Sequence, residues 1–382
     1  MEITTPAAPE TLLDPSHLTS LTSLAEALAG VTDPREPRGR RYSLVSLLLL
    51  IVAGLLCKAT SLRAITRWGR LHVGETLLLG FPPDRTPCCA TLHRVLERLD
   101  AQELDQCLTA WLGNSTPLNP GEGIGVDGKT VRGVPGGLHL LAAYAHQTQV
   151  VLAQEAVHHK ENEITAAPRV LERVQLKDRV VTGDAMLAQR SLSQEVLAAG
   201  GDYFWVVKDN QPTLKADIAL LFTQPPFGEV FHQVEEWSRH GGRKEVRRLC
   251  SSTALNEYLR WPQVGQVCQL EREVTRKGKT TREIAYAITS LTPQHADARR
   301  LLELWRGHWH IENGLHWVRD VVYGEDRCRI RCGQAPRACA SLRNLALGLL
   351  RRARVTAITE ALERHAAFPS QALALLGITS RQ

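Results

Sequence analysis

No stretch of this chain is apolar for long enough to suggest a bilayer crossing. The nearest candidate, residues 44–57, falls short of the about 18 residues such a helix needs. It also contains Ser46 and runs into Lys58, so it reads as a buried helix. The start, with Glu2 and no basic region ahead of an apolar run, lacks the pattern of a signal peptide. The nine cysteines are scattered and odd in number, which for a chain of 382 residues fits a reduced cytoplasmic setting. Cys328, Cys332 and Cys339 have no second close pair beside them to complete four zinc ligands. There is no internal repeat and no long low-complexity segment. Charge of one sign is also in short supply: 46 basic against 40 acidic residues leave only +6, which permits a nucleic-acid partner without requiring one.

The distribution of that charge says more. Residues 327–354 carry eight Arg and no acid, and residues 240–282 carry ten Arg or Lys against four Glu. Periodicity divides the chain into a polar, Pro-rich and disordered tail (1–12), an all-helical domain (13–115), a mixed helix and strand region (120–227), two hairpins (228–290) and a helical remainder (291–377). In the helical domain Arg63 and Arg67 lie one turn apart. The helix at 90–99 puts Leu92, Val95, Leu96 and Leu99 on one face, and His93, Arg94 and Arg98 on its wet side. That helix could read bases, although basic residues on a wet face are more often plain solvation. The mixed region has three strands, the last two an antiparallel hairpin, followed by alternating helix and strand. That is the pattern of a mixed sheet flanked by helices.

The stretch Gly123 to Arg132 is the focus. A short apolar strand is expected to end at Asp127, with Gly128 turning the backbone just past the carboxylate. A second strand, 179–182, leads into Asp184, and Glu312 lies on a helix rich in Trp, His and Arg. Two divalent ions held by a few carboxylates can clamp the attacking and leaving oxygens at phosphorus. Any one of these acids alone reads as a solvated carboxylate, and separations of 57 and 128 positions by themselves prove nothing.

Val126-Asp127-Gly128-Lys129-Thr130, Thr182-Gly183-Asp184-Ala185-Met186 and Lys208-Asp209-Asn210-Gln211 occur in that order. Trp305-Arg306-Gly307-His308-Trp309-His310-Ile311-Glu312-Asn313 and Leu315-His316-Trp317-Val318-Arg319-Asp320-Val321 follow. Together these blocks resemble the signatures of the ISAs1-type DDE transposases, which include the H-repeat-associated proteins and are related to the IS4-like group. The resemblance spans about residues 33–352. It implies an α/β fold: an RNase H-like, retroviral integrase-like mixed-sheet core with an inserted β-rich segment, a helical N-terminal domain and a helical C-terminal part. It further implies Asp127, Asp184 and Glu312 as the catalytic, metal-binding acids, with Asp127 bridging two Mg2+ ions for which Mn2+ substitutes. The implied reaction is hydrolysis of a DNA phosphodiester at the element's end, with water as first nucleophile, followed by attack of the freed 3′-hydroxyl on target DNA.

The IS4-like group spaces Tyr, Arg, Glu and Lys around its last acid. Here those positions hold Trp305, His308, Glu312 and Arg319. The expected DNA contacts are Lys129, Lys208, Asn210, Gln211, His308 and Arg319, together with Arg327, Arg329 and Arg331, with His158, His159 and Lys160 as possible lining of the path. Solvated surface positions are the plainer reading of the Lys and Arg side chains, and Asn210 and Gln211 could instead cap the following helix. Glu325 and Asp326 form a rival acidic pair that ion pairing with nearby Arg would explain, and Glu312 ranks above Glu325 as third acid. The partners implied are double-stranded DNA, both terminal repeats and target, and a second copy in a synaptic dimer or larger assembly; no membrane is expected. A catalytically silent relative and a stand-alone nuclease are the competing readings.

Overall fold

The computed structural model describes residues 23–379 apart from 39, 84 and 159. The expected disordered tail, the first turns of the first expected helix and His159 lie outside those residues. Short helices come first: α1 (Leu24–Ala29), α2 (Leu44–Leu56), α3 (Leu62–Leu71), α4 (Val73–Leu78), α5 (Cys89–Arg98) and α6 (Ala101–Ser115). Their starts follow local chemistry. Ser43, Ser61 and Asp100 each accept a hydrogen bond from a first-turn N–H, which satisfies donors the helix itself cannot. In α2 every residue but Val45 is buried, so it sits inside its bundle, and no helix among the described residues is long and apolar enough to cross a membrane.

The middle of the chain is β1 (Gly123–Val131), β2 (Leu138–Ala145), β3 (Val151–Val157), α7 (Glu163–Leu171), β4 (Val180–Gly183), α8 (Arg190–Ala198), β5 (Asp202–Val207) and α9 (Pro212–Thr223). Four longer strands follow: β6 (His232–His240), β7 (Arg243–Ser252), β8 (Gln266–Arg276) and β9 (Lys279–Thr289). Then come α10 (Ala298–His310), α11 (Ala335–Arg352), α12 (Ile358–Ala367) and α13 (Pro369–Leu375).

Among the described residues all nine strands share one sheet, in the order β3-β2-β1-β4-β5-β9-β8-β7-β6. β1, β4 and β5 run parallel, and the remaining pairings are antiparallel. The two expected hairpins form, but they do not stand apart. β9 pairs with β5 over Phe204–Val207 and so extends the central sheet. Without it β5 would present an apolar open edge, which folded proteins cover.

One apolar core joins the helical bundle to the sheet. It contains Leu48, Leu50 and Leu96 from the bundle, Ala142, Tyr144 and Val151 from β2 and β3, and Leu342 and Leu345 from α11. The N-terminal helices therefore bury a shared surface, not a private one. Leu345→Ala is expected to cost about 2–5 kcal/mol, the usual range for emptying a packed leucine site. A urea titration should show this as an earlier midpoint reported identically by probes in the bundle and in the sheet; separate transitions would contradict the shared core.

Candidate active site

Asp127 does not end its strand. β1 continues to Val131, paired with β2 throughout. What stops at this point is the other ladder: β1 and β4 pair in parallel only as far as Val126 opposite Gly183, after which β4 turns away. Asp127 and Asp184 are therefore the first residues beyond the last paired position on two adjacent parallel strands. Gly128 serves a purpose different from the expected turn. A Cβ there would collide with the Glu163 carboxylate and the His139 ring, so glycine lets those side chains lie against β1.

Glu312 arrives from the third direction. α10 starts at Asp297, which accepts from Arg300 N–H at 2.8 Å, and passes into wide π-helical turns at Ile311–His316 and Val318–Val322. In the first of these Trp317 N–H reaches back five residues to Glu312 carbonyl. Such widened turns are rare and gather at functional sites. Gly314 permits the close seat on β2, since a Cβ would meet the Tyr144 hydroxyl at 2.6 Å.

The acids feel one another. Burial pushes the Asp127 carboxyl up to about 7, and the negative charges of Glu163, Glu312 and Asp184 add to it against a lowering hydrogen bond from Gly128 N–H. Glu163, absent from the sequence expectations, is the largest of the three charge effects. It opens α7, whose N-cap is Asn162, and accepts from His139 Nε2 at 2.7 Å, while His139 Nδ1 pairs with the Thr130 hydroxyl at 2.8 Å. The only signal for it in sequence was its place at a helix start. Asp184 accepts from Met186 N–H at 2.9 Å, which pins the turn after β4.

Several residues expected to touch DNA are buried and bonded within the protein. Arg319 is 1% exposed: its Nε donates to Glu325 at 2.8 Å and its Nη1 to Gln154 at 3.2 Å. The fork expected to take two phosphate oxygens instead grips a carboxylate. Arg343 donates to the other oxygen of Glu325 at 3.0 Å. Burial would raise Glu325, but Arg319 and Arg343 outweigh it and hold the carboxyl below its usual range. The rival acid is thus a buried, paired anion. Lys129 is also buried, bound to Asp320 at 2.7 Å, and so ties β1 to the helix of Glu312.

His308 lies under the site, not at its rim. Burial drives its ring down to about 4, so it is neutral, and it shares the Thr182 hydroxyl with His146 at 3.2 and 3.0 Å. The amides of Asn210 and Gln211 donate to Ala185 and Ala188 carbonyls, bracing the turn that carries Asp184. Lys208, Arg327, Arg329 and Arg331 are exposed, and none forms an ion pair among the described residues. Farther along the basic run the picture reverses, with Arg337 paired to Glu155 and Arg343 to Glu325.

Comparison with known proteins now has a geometry to meet. Residues 119–349, more than half of the chain, match the model of the transposase DDE domain, and residues 25–112 match that of its associated region. The chain belongs to the DDE transposase family. It is 29% identical over 349 residues to the Escherichia coli O157:H7 protein named "Putative transposase YncI", covering 87% of this chain and 88% of that one. It is 27% identical to the Escherichia coli K12 protein named "H repeat-associated putative transposase YhhI", covering 86% and 90%. A piggyBac transposase synaptic complex with hairpin DNA aligns with a TM-score of 0.45 at 10% identity, over 92% of this chain and 76% of that one. The resemblance carried by the motif blocks holds at the level of the DDE transposases.

DDE transposases use divalent ions, and the residues of this family member meet that need in part. The donors are all carboxylate oxygens, which suit a hard cation. Asp127 is held partly protonated near neutrality by burial and neighbouring anions, a strain that a cation relieves. The cage is not closed, however: among the described residues no group of three or more His, Cys, Asp or Glu stands together tightly enough to hold an ion. Glu312 is the exposed member.

Two outcomes follow. Because the folded Asp127 value lies above the ordinary 3.8, its stabilising contribution is present below that pH and lost as pH climbs through about 7. Metal-free protein should lose thermal stability between about pH 4 and pH 7 and level off above that, by an amount bounded near about 4 kcal/mol. Asp127→Asn should flatten the profile, and a parallel decline in the variant would show that another group is responsible. Glu325→Gln should cost about 3–5 kcal/mol in urea unfolding, since it leaves two buried guanidinium groups without their anion.

Proposed function

We propose that this chain is a DNA transposase that hydrolyses the phosphodiester at its element's end and transfers the freed 3′-hydroxyl to target DNA. The observation that carries the reading is the meeting of Asp127, Asp184 and Glu312 in electrostatic range, at the point where two parallel strands part. The RNase H-like core is supported by three antiparallel strands continued through helices into two parallel ones. Asp127, Asp184 and Glu312 would hold two Mg2+ ions, with Mn2+ a workable substitute. When bound, the ions supply an activated water and charge stabilisation for the leaving oxygen.

The chain's own side chains do the positioning. Lys129, through Asp320, and Arg319, through Gln154 on β3, set the Glu312 helix against the sheet. Asn210 and Gln211 hold the Asp184 turn. His308 and His146 remain neutral beneath Thr182, so no fixed cation competes with the ions for the acids. Lys208, Arg327, Arg329 and Arg331 contact backbone phosphates, which fixes DNA position without reading sequence. Pairing two ends calls for a second copy of the chain on the DNA.

The deciding assay uses purified protein, Mg2+ and a duplex carrying the candidate element end. Wild type should cleave at that end and join it to a target, whereas Asp127→Asn should bind equally and lose at least about a thousandfold in cleavage, a loss of roughly 4 kcal/mol in barrier lowering. Binding without cleavage by wild type points to a silent relative, and cleavage without joining to a nuclease.

A further inference from the structure

The sequence showed two arginines one turn apart on α3 that the catalytic reading leaves unused. In the structure they are three. Arg63, Arg67 and Arg70 are exposed on one side of α3, while Leu62, Ile65 and Trp68 are buried on the other. All three line a groove of about 560 Å³ whose far wall is Thr86 and the first residues of α5. Among the described residues none of the three forms an ion pair with an acid, in contrast to the arginines of β7 and β8, which pair across strands with Glu235, Glu245 and Glu271. Three unpaired guanidinium groups in one groove mark a surface awaiting an anion.

Spacing and continuity identify the anion. Positions i, i+4 and i+7 cover about 10 Å of helix axis. One DNA strand rises about 3.4 Å per phosphate along the duplex axis, so the row spans about three phosphate steps. The free N–H groups at the start of α5 favour negative charge on the opposite wall. The exposed segment with Arg327, Arg329 and Arg331 ends where Gln334 N–H binds Glu97 carbonyl at 3.1 Å, on the last turn of the same helix α5 whose start lines the groove, beside the exposed Arg94 and Arg98.

We infer that the groove between α3 and the start of α5 is a second DNA-backbone site, gripping duplex remote from the cleaved bond through Arg63, Arg67 and Arg70. This rests on the transposase reading for its partner, but not on cleavage. The bundle acts as a clamp on flanking DNA, sequence-blind and salt-sensitive.

The test is anisotropy of full-length protein on a labelled duplex of arbitrary sequence, titrated at several NaCl concentrations. Each phosphate neutralised contributes about 0.9 to the slope of log affinity against log salt, so the R63Q/R67Q/R70Q variant should flatten the slope by about 2.7. The corresponding triple Lys variant keeps the charges and should keep the slope. Melting curves establish that each variant is folded, and if the triple Gln variant is not, R67Q alone should remove about 0.9. A folded Gln variant with the wild-type slope overturns the inference, as does a wild type that binds no duplex. A wild type that binds with the expected slope change yet never cleaves leaves the clamp standing and defeats the catalytic reading instead.

Discussion

One buried carboxylate, Asp127, faced by three others, is the constraint around which this site is built. Glu163, Glu312 and Asp184 come from two helices and the turn after β4, and their charges add to the burial that makes the Asp127 charge hard to keep. Nothing among the acids themselves holds them together. The holding is done one layer away, where Lys129 binds Asp320 and Arg319 binds Glu325. Lys129, Arg319 and Glu325 are buried, and on their own such pairs contribute little net stability, because desolvation consumes most of the Coulomb gain. Their value is geometric: Lys129–Asp320 joins the strand of Asp127 to the helix of Glu312, and Glu325 fixes the Arg319 side chain that reaches Gln154 on β3.

This explains why charge type was legible in the sequence and charge location was not. The motif blocks put three candidate acids in order, and the helix starts at Ser43 and Ser61 are local enough to read directly. The buried character of residues 44–56 also follows from composition alone. By contrast, whether Arg319 points outward depends on Gln154, 165 positions away, and on Arg343 sharing Glu325. No periodicity encodes that. Lys129 sits on a strand where alternate residues face opposite sides, so its side was open until Asp320 was located. Glu163 went unseen for the same reason: its closeness to Asp127 is created by the hairpin of β2 and β3 and by a glycine whose use is clearance, not turning.

The same non-local logic governs the strands from 232 to 289. They are rich in Arg and Lys, yet Arg248, Arg272 and Arg282 pair with Glu on the neighbouring strand, and Arg243 and Arg247 with Glu245 on their own. Cross-strand ion pairs in a ladder stabilise register modestly and cancel one another's long-range field. What the segment demonstrably supplies is β9, which closes the exposed edge of β5 and keeps β4 central. A central β4 is what fixes Asp184 beside Asp127.

Sorting the cations by partner therefore sorts them by role. A guanidinium bound to a buried carboxylate has no charge to offer a phosphate, however close to the acids it lies. One that is exposed and unpaired keeps its field out to about a Debye length, roughly 8–10 Å at physiological salt. By that criterion the cations left with a field to offer include Lys208, Arg327, Arg329, Arg331 and the α3 row, all outside the ring of acids. The centre is left net negative. Such a centre repels a bare phosphate backbone, so productive seating of DNA and loading of cations must be thermodynamically linked, each strengthening the other by the same factor.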